Sequence, residues 1–200
     1  MNMADTIKQA QFPTVMVPQR EDLEPCETGK ARLLMARDGL YLEAKPIWGR
    51  FIAQLWKSPR ALPYGMVGEM DGFMPVLKQI GSIVYGMFPD AVAYAGKGLE
   101  WAGQIAWSEE RGFYYQPRSF AETGPEHVKY EKQLPRGVHL VADVHSHHTM
   151  TPYFSDEDDR DDKGRIKISI TLGNYNPERP IPFDYVMRYC VSGFFFQPKP

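Results

Sequence analysis

An apolar, β-branched run, Gly137-Val138-His139-Leu140-Val141-Ala142-Asp143-Val144, leads straight into His145-Ser146-His147, and this junction constrains the chain more than any other feature. Such a run reads as a strand. On a strand, residues i and i+2 point to one face, with Cβ atoms on the order of 7 Å apart. Two rings so placed can share an ion. Seven residues after His147 comes Ser155-Asp156-Glu157-Asp158, so the chain must fold back to bring that acid to the strand end. His145, His147 and Asp158 then supply three ligands suited to zinc, Zn2+, and leave a fourth position for water. Imidazole and carboxylate also suit iron, cobalt and manganese.

The neighbours of these residues have plainer roles. Ser155 and Asp158 together form an N-capping box, which would hold Asp158 in place at a helix start. The acids Asp156, Glu157, Asp161 and Asp162 are expected on the solvated first turn of that helix, favoured by its dipole. Asp159 is a candidate for orienting a ligand from behind. His148 faces away from His147 and belongs to a loop. His139 and Asp143 share the strand face of His145, where Asp143 is placed to hydrogen-bond a ligand imidazole if strand twist allows. His127 is expected at the surface. Trp101, Trp107, Tyr114 and Tyr115 read as core aromatics, and Met74 and Met87 as helix packing.

The chain has 200 residues, 43% hydrophobic and 13% aromatic, which suits one folded domain with a modest extension. A formal net charge of -2 gives no bulk attraction to nucleic acid. No apolar run approaches the ~18 residues needed to span a bilayer, and Met1 to Thr14 lacks signal-peptide order. Cys26 and Cys190 lie too far apart in sequence to suggest a disulfide framework. A soluble, cytoplasmic protein with no membrane or nucleic-acid partner is expected.

Residues 1–70 are read as a small β-containing N-terminal extension and residues 71–200 as the main domain, with the boundary near Gly65 to Gly72. Arg32 to Ala36 and Leu40 to Ala44 flank Asp38-Gly39, a strong hairpin signal. Pro46 to Lys57 fits a strand or a short helix. Val76, Leu77, Ile80, Ile83, Val84 and Met87 recur at helical spacing, predicting a helix from Phe73 to Phe88 that Pro89-Asp90 ends. Strands are predicted at Ala91 to Ala95, Glu100 to Trp107, Gly112 to Gln116, Arg165 to Leu172 and Phe183 to Val191. Between Pro125 and Pro135, Glu126 to Leu134 reads as a short helix. The order predicts an α/β domain with a mixed sheet.

A zinc-bound water has its pKa lowered towards about 7, and a carboxylate beside it can move its proton to a departing amine. Glu100, Glu109, Glu110, Glu122 and Glu126 are the upstream candidates. Glu100 is best placed, opening the apolar segment Glu100-Trp101-Ala102-Gly103-Gln104-Ile105. Glu109 and Glu110 sit in a solvated turn beside Arg111-Gly112. Glu122 and Glu126 are the reserves.

Glu100 with Gly103, then His145-Ser146-His147, Ser155 and Asp158, resembles the JAMM motif of the JAB/MPN zinc metalloproteases. The likeness covers about Phe73 to Val191, and its His-Ser-His…Ser…Asp part is the specific one. It implies a cytidine-deaminase-like α/β sandwich. The implied roles are zinc ligation by His145, His147 and Asp158, general acid/base catalysis by Glu100, and stabilisation of the tetrahedral intermediate by Ser155. Within that family, Asp-Val-His-Ser-His-His and Asp158-Asp159-Arg160-Asp161-Asp162 look most like proteins of bacterial PRTRC gene systems. Such systems also encode ubiquitin-like, activating-enzyme-like and conjugating-enzyme-like proteins, which makes a ubiquitin-like C-terminal tail the implied substrate. His148 is a departure, because eukaryotic relatives usually carry proline after the second histidine.

Two other classes compete with this isopeptidase reading. One is a binding module that keeps the fold, and a structural metal, without catalysis; the other is a zinc hydrolase of a small amide. A complete set of motif residues favours the enzyme.

Overall fold

Strand-forming residues in the first part of the chain build a small sheet of their own. The computed structural model describes residues 3–68, 74–130 and 134–197, and the chain divides into two units, Met1–Leu77 and Lys78–Pro200. The first holds α1 (Met3–Gln11), β1 (Thr14–Met16), β2 (Lys30–Ala36), β3 (Gly39–Lys45) and β4 (Phe51–Lys57). Its sheet runs in sequence order, with β1 parallel to β2 and the other pairs antiparallel.

The Asp-Gly pair closes the anticipated β2–β3 hairpin, with Ala36 opposite Gly39. Of the two options for Pro46 to Lys57, the strand is realised, over its second half. Val17, Leu34, Ala36, Tyr41 and Ile52 form the core cluster of this unit. Arg32 faces Glu43 in register. The fully buried Glu43 carboxylate accepts from Arg32 Nε at 2.6 Å and Arg50 Nε at 2.6 Å, so its burial is matched by charge.

The second unit opens within α2 (Met74–Ala95) and continues through β5 (Trp101–Ser108), β6 (Gly112–Gln116), β7 (Phe120–Thr123) and β8 (Val128–Tyr130). It ends with β9 (His139–Ser146), α3 (Asp156–Asp162), β10 (Ile166–Gly173), β11 (Asp184–Val191) and β12 (Phe194–Phe196). The six-stranded sheet has the order β12-β11-β10-β9-β5-β6. Only β9 and β10 pair parallel in it, with α3 as their crossover, while the β7–β8 hairpin forms a separate two-stranded sheet.

Two expectations are corrected here. Pro89 does not end α2, and Ala91 to Ala95 is its last turns, not a strand. A helix-interior proline costs about 3 kcal/mol, but Ile80, Met87, Phe88, Ala91 and Ala95 form one buried stripe. Each large buried side chain in such a stripe contributes about 1.5–3 kcal/mol, so the packing wins. A short apolar run such as 91–95 carries no periodicity that separates strand from buried helix.

The second correction is at Glu126 to Leu134, where Val128–Tyr130 is strand β8 instead of helix. Residues 131–133 of that expectation lie outside the described residues. The β-formers Val128 and Tyr130 pair with β7 across a turn closed by the Gly124 N–H donating to His127 O at 2.8 Å. No described helix is long and apolar enough to cross a membrane.

Candidate metal centre

His145 lies near the C-terminal end of β9, opposite Ala102 on β5 and Thr171 on β10. His147 follows the last strand residue, but its N–H still donates to Leu172 O at 2.8 Å. That extra pairing keeps both imidazoles on one face. Between them Ser146 turns inward, fully buried, and its Oγ accepts from the Trp101 N–H at 3.1 Å. Ser146 therefore ties β9 to β5, and the alternation of the strand presents the histidines.

The two Nε2 atoms stand 3.2 Å apart, and Asp158 Oδ1 is 3.7 Å from His145 Nε2. Ligand atoms of all three residues lie within 4.8 Å of one another. Burial holds the pKa of both histidines below the ordinary value, and burial with the neighbouring His145 takes His147 down to about 4. At neutral pH both rings are uncharged and keep a lone pair for a cation. The donor set, two neutral imidazoles and one carboxylate, fits a divalent metal of the zinc class.

Asp158 is held by its own helix. Ser155 is the N-cap of α3, and its N–H and Oγ–H each donate to Asp158 Oδ2 at 2.7 Å, while the Asp158 N–H donates to Ser155 Oγ at 3.2 Å. One carboxylate oxygen is thus occupied by the capping box and the other is turned to His145. Capping and ligand placement coexist in the same two residues.

Glu100 precedes β5, only 6% exposed. Its N–H donates to Gly124 O at 2.8 Å and its carbonyl accepts from Thr123 Oγ1. The side chain lines a cleft of about 510 Å³ together with His145, His147, Ser155 and Asp158. Burial first, then the negative charges of Asp158, Glu126 and Glu157, raises its pKa to about 7. A carboxyl poised there can both take and give a proton near neutral pH.

The other candidates fall elsewhere. Glu109 and Glu110 are exposed in the β5–β6 turn. Glu122 is exposed and paired with His127 and Lys129, whose hydrogen bonds lower its pKa. Glu126 lines the cleft from an exposed position. His139 packs on Trp107 with ring centroids 6.0 Å apart. His148 sits in a turn, and its Nε2–H donates to Pro125 O at 2.9 Å.

Three expectations for the acids are corrected. Asp143 accepts from Gln104 Nε2 at 2.7 Å and pairs with Lys167 instead of bonding an imidazole. Asp159 pairs with Arg188 instead of orienting a ligand. Asp162, expected in solvent, is 2% exposed and accepts from Ser169, Lys167, Arg188 and the Cys190 thiol. The reason is common to all three: β10 and β11 carry Lys167 and Arg188 on the face that α3 covers, and buried charges need partners. Arg188 is also stacked between Phe154 and Phe195, 4.0 and 4.1 Å from the ring centroids.

Several contributors escaped the sequence reading. Thr171 Oγ1 lies 3.3 Å from His145 Nε2, and the Tyr153 ring meets His147 edge-on at 4.7 Å. A polar alternation, Lys167-x-Ser169-x-Thr171, inside a buried strand was the available signal.

Gly173 also matters, because Asn174 N–H donates to Met150 O at 2.7 Å and draws the loop after the histidines onto the end of β10. A Cβ on Gly173 would stand 2.4 Å from Met150 O and 2.6 Å from Pro152 N. Gly173→Ala is expected to cost about 1–3 kcal/mol and to weaken metal binding, read by urea unfolding and metal titration. Unchanged values in both would show that the loop yields without cost.

Residues 91–184 match the family described as prokaryotic homologs of the JAB domain. The second unit is a JAB domain. Its mixed sheet, its covering helices and the strand end that carries the histidines are the JAB/MPN fold, and the N-terminal sheet is a β extension to it. Residues 2–71 match a family described as a domain of unknown function, DUF2016. No curated protein matches the chain. A JAB domain with a His145-His147-Asp158 cluster is either a hydrolase or a metal-binding module.

Proposed function

We propose that this JAB domain is a zinc-dependent isopeptidase or peptidase that cuts behind the C-terminal tail of a ubiquitin-like protein, in a PRTRC-type bacterial system. The observation that carries the reading is the buried Glu100 carboxyl facing the same cleft as three converging metal-ligand atoms. A buried carboxyl raised to about 7 in the metal-free protein, beside such a donor set, favours acid/base chemistry over a binding module.

Zinc held by His145, His147 and Asp158 would lower the pKa of a bound water and polarise the scissile carbonyl. Glu100 accepts the proton of the attacking water and returns it to the departing nitrogen. Ser155 Oγ turns from Asp158 Oδ2 to donate to the carbonyl oxygen, and the Ser155 N–H keeps Oδ2 satisfied meanwhile. Val128 and Lys129 line the cleft from β8, whose ladder partner among the described residues is β7. An extended tail gains main-chain hydrogen bonds by adding beside such a strand. Activating- and conjugating-enzyme-like proteins of the same system are the further partners this reading implies.

The test is incubation of the zinc-loaded protein with the ubiquitin-like protein encoded beside it, extended by a reporter peptide, read by mass spectrometry. A single cut at the tail supports the proposal. Binding without a cut would make the domain a binding module, and indifference would point to a small amide. His145→Ala is expected to lose the metal as well as the cut, measured by elemental analysis. A full metal complement in that variant would remove His145 from the ligand set.

A further inference from the structure

The residue after the second histidine has a left-handed backbone, His148 φ +38°, and its ring reaches out of its own loop. His148 Nδ1 accepts from the Thr149 N–H at 2.7 Å. That fixes the proton on Nε2, which then donates to Pro125 O at 2.9 Å. The adjacent carbonyl, Gly124 O, accepts from the Glu100 N–H at 2.8 Å. Two successive carbonyls in the β7–β8 turn are therefore gripped by two different parts of the centre. One is the carboxyl-bearing residue and the other is the neighbour of a metal ligand.

Residues of the same turn and of β8, from Glu126 to Lys129, form one wall of the cleft, and Ser155, Glu157 and Asp158 stand on the α3 side. We propose that His148 is a positioning residue that tethers the β7–β8 hairpin and so sets the width of the cleft for an extended substrate. This rests on the cleft being the substrate-binding face. Proline, with φ fixed near −65° and no side-chain donor, could supply neither the backbone nor the tether. The histidine is thus a different solution to shaping this wall.

Asparagine places an acceptor where His148 Nδ1 sits, tolerates a left-handed backbone and cannot reach Pro125. Glutamine places an N–H where Nε2 sits. In zinc-loaded protein, His148→Asn is expected to speed hydrogen exchange at the Gly124 and Glu100 amides about five-fold, with metal content unchanged. His148→Gln is expected to restore the slower exchange. On the ubiquitin-like fusion, His148→Asn raises KM by a larger factor than it lowers kcat, and His148→Gln recovers KM. Exchange in His148→Asn equal to wild type, or no rescue by glutamine, overturns the tether. A wild-type protein that cuts nothing while the exchange pattern holds would overturn the peptidase reading and leave the tether standing.

Discussion

Glu100→Gln is expected to reduce cleavage by about 10²–10⁴-fold while the zinc content of the protein stays the same. Glutamine keeps the size and the main-chain bonds of Glu100 to Gly124 and Thr123, so the loss would fall on proton transfer alone. In the proposed mechanism, the base form of Glu100 is the one that accepts a proton. Without metal its pKa is raised to about 7 by burial and then by Asp158. Bound zinc would draw it below that value, so on the proposed mechanism turnover is expected to decline as pH falls through that lower value.

The same shift has an opposite effect on stability. A carboxyl whose folded pKa lies above its unfolded one binds more protons when folded, and stability falls as pH rises between the two values. Metal-free Glu100→Gln is therefore expected to melt higher than metal-free wild type above pH 7. Cleavage that survives in Glu100→Gln would pass the acid/base role to Glu126, which lines the same cleft.

Asp162→Asn is the second large effect, at about 3–5 kcal/mol of lost stability. The substitution leaves Lys167 and Arg188, both about 5% exposed, with one negative partner fewer. Burial alone would raise the Asp162 pKa, but the charge of Lys167 and hydrogen bonds from Lys167, Arg188 and Ser169 bring it below the ordinary value. Its contribution is thus present above the unfolded value, about 3.9, and is lost as pH falls through the lower folded one.

Lys167 behaves in the reverse sense. Burial lowers its pKa, and Asp143 with Asp162 raises it above the ordinary value. Its contribution is complete below about 10.4 and is lost as pH rises through the raised folded value. The contribution of this cluster should be level between these limits, and in Asp162→Asn its acid edge should flatten. Urea midpoints across pH measure both; an Asp162→Asn protein as stable as wild type would mean that the cluster contributes nothing net.

The strand–histidine–capping-box order was readable because each signal is local. Alternation on β9 sets which face the rings share, and Ser155 with Asp158 forms its cap within a single turn. The β2–β3 hairpin was readable for the same reason, its turn being written in two adjacent residues. What escaped depends on partners distant in sequence. Asp162 looks like any acid of a solvated helix until Arg188, 26 positions on, is brought beneath it. Pro89 looks like a stop until the stripe from Ile80 to Ala95 is laid against a sheet. Gly173 and Thr171 are ordinary strand residues until β10 pairs with β9.

Asp158 does two jobs with two oxygens, one nucleating its helix and one aimed at the imidazoles. The ordering entropy of that ligand is therefore met during folding, before any cation arrives, which favours quick capture at low free metal. It also means that drift at Ser155 or Asp158 injures architecture and chemistry together, so neither trait can erode alone.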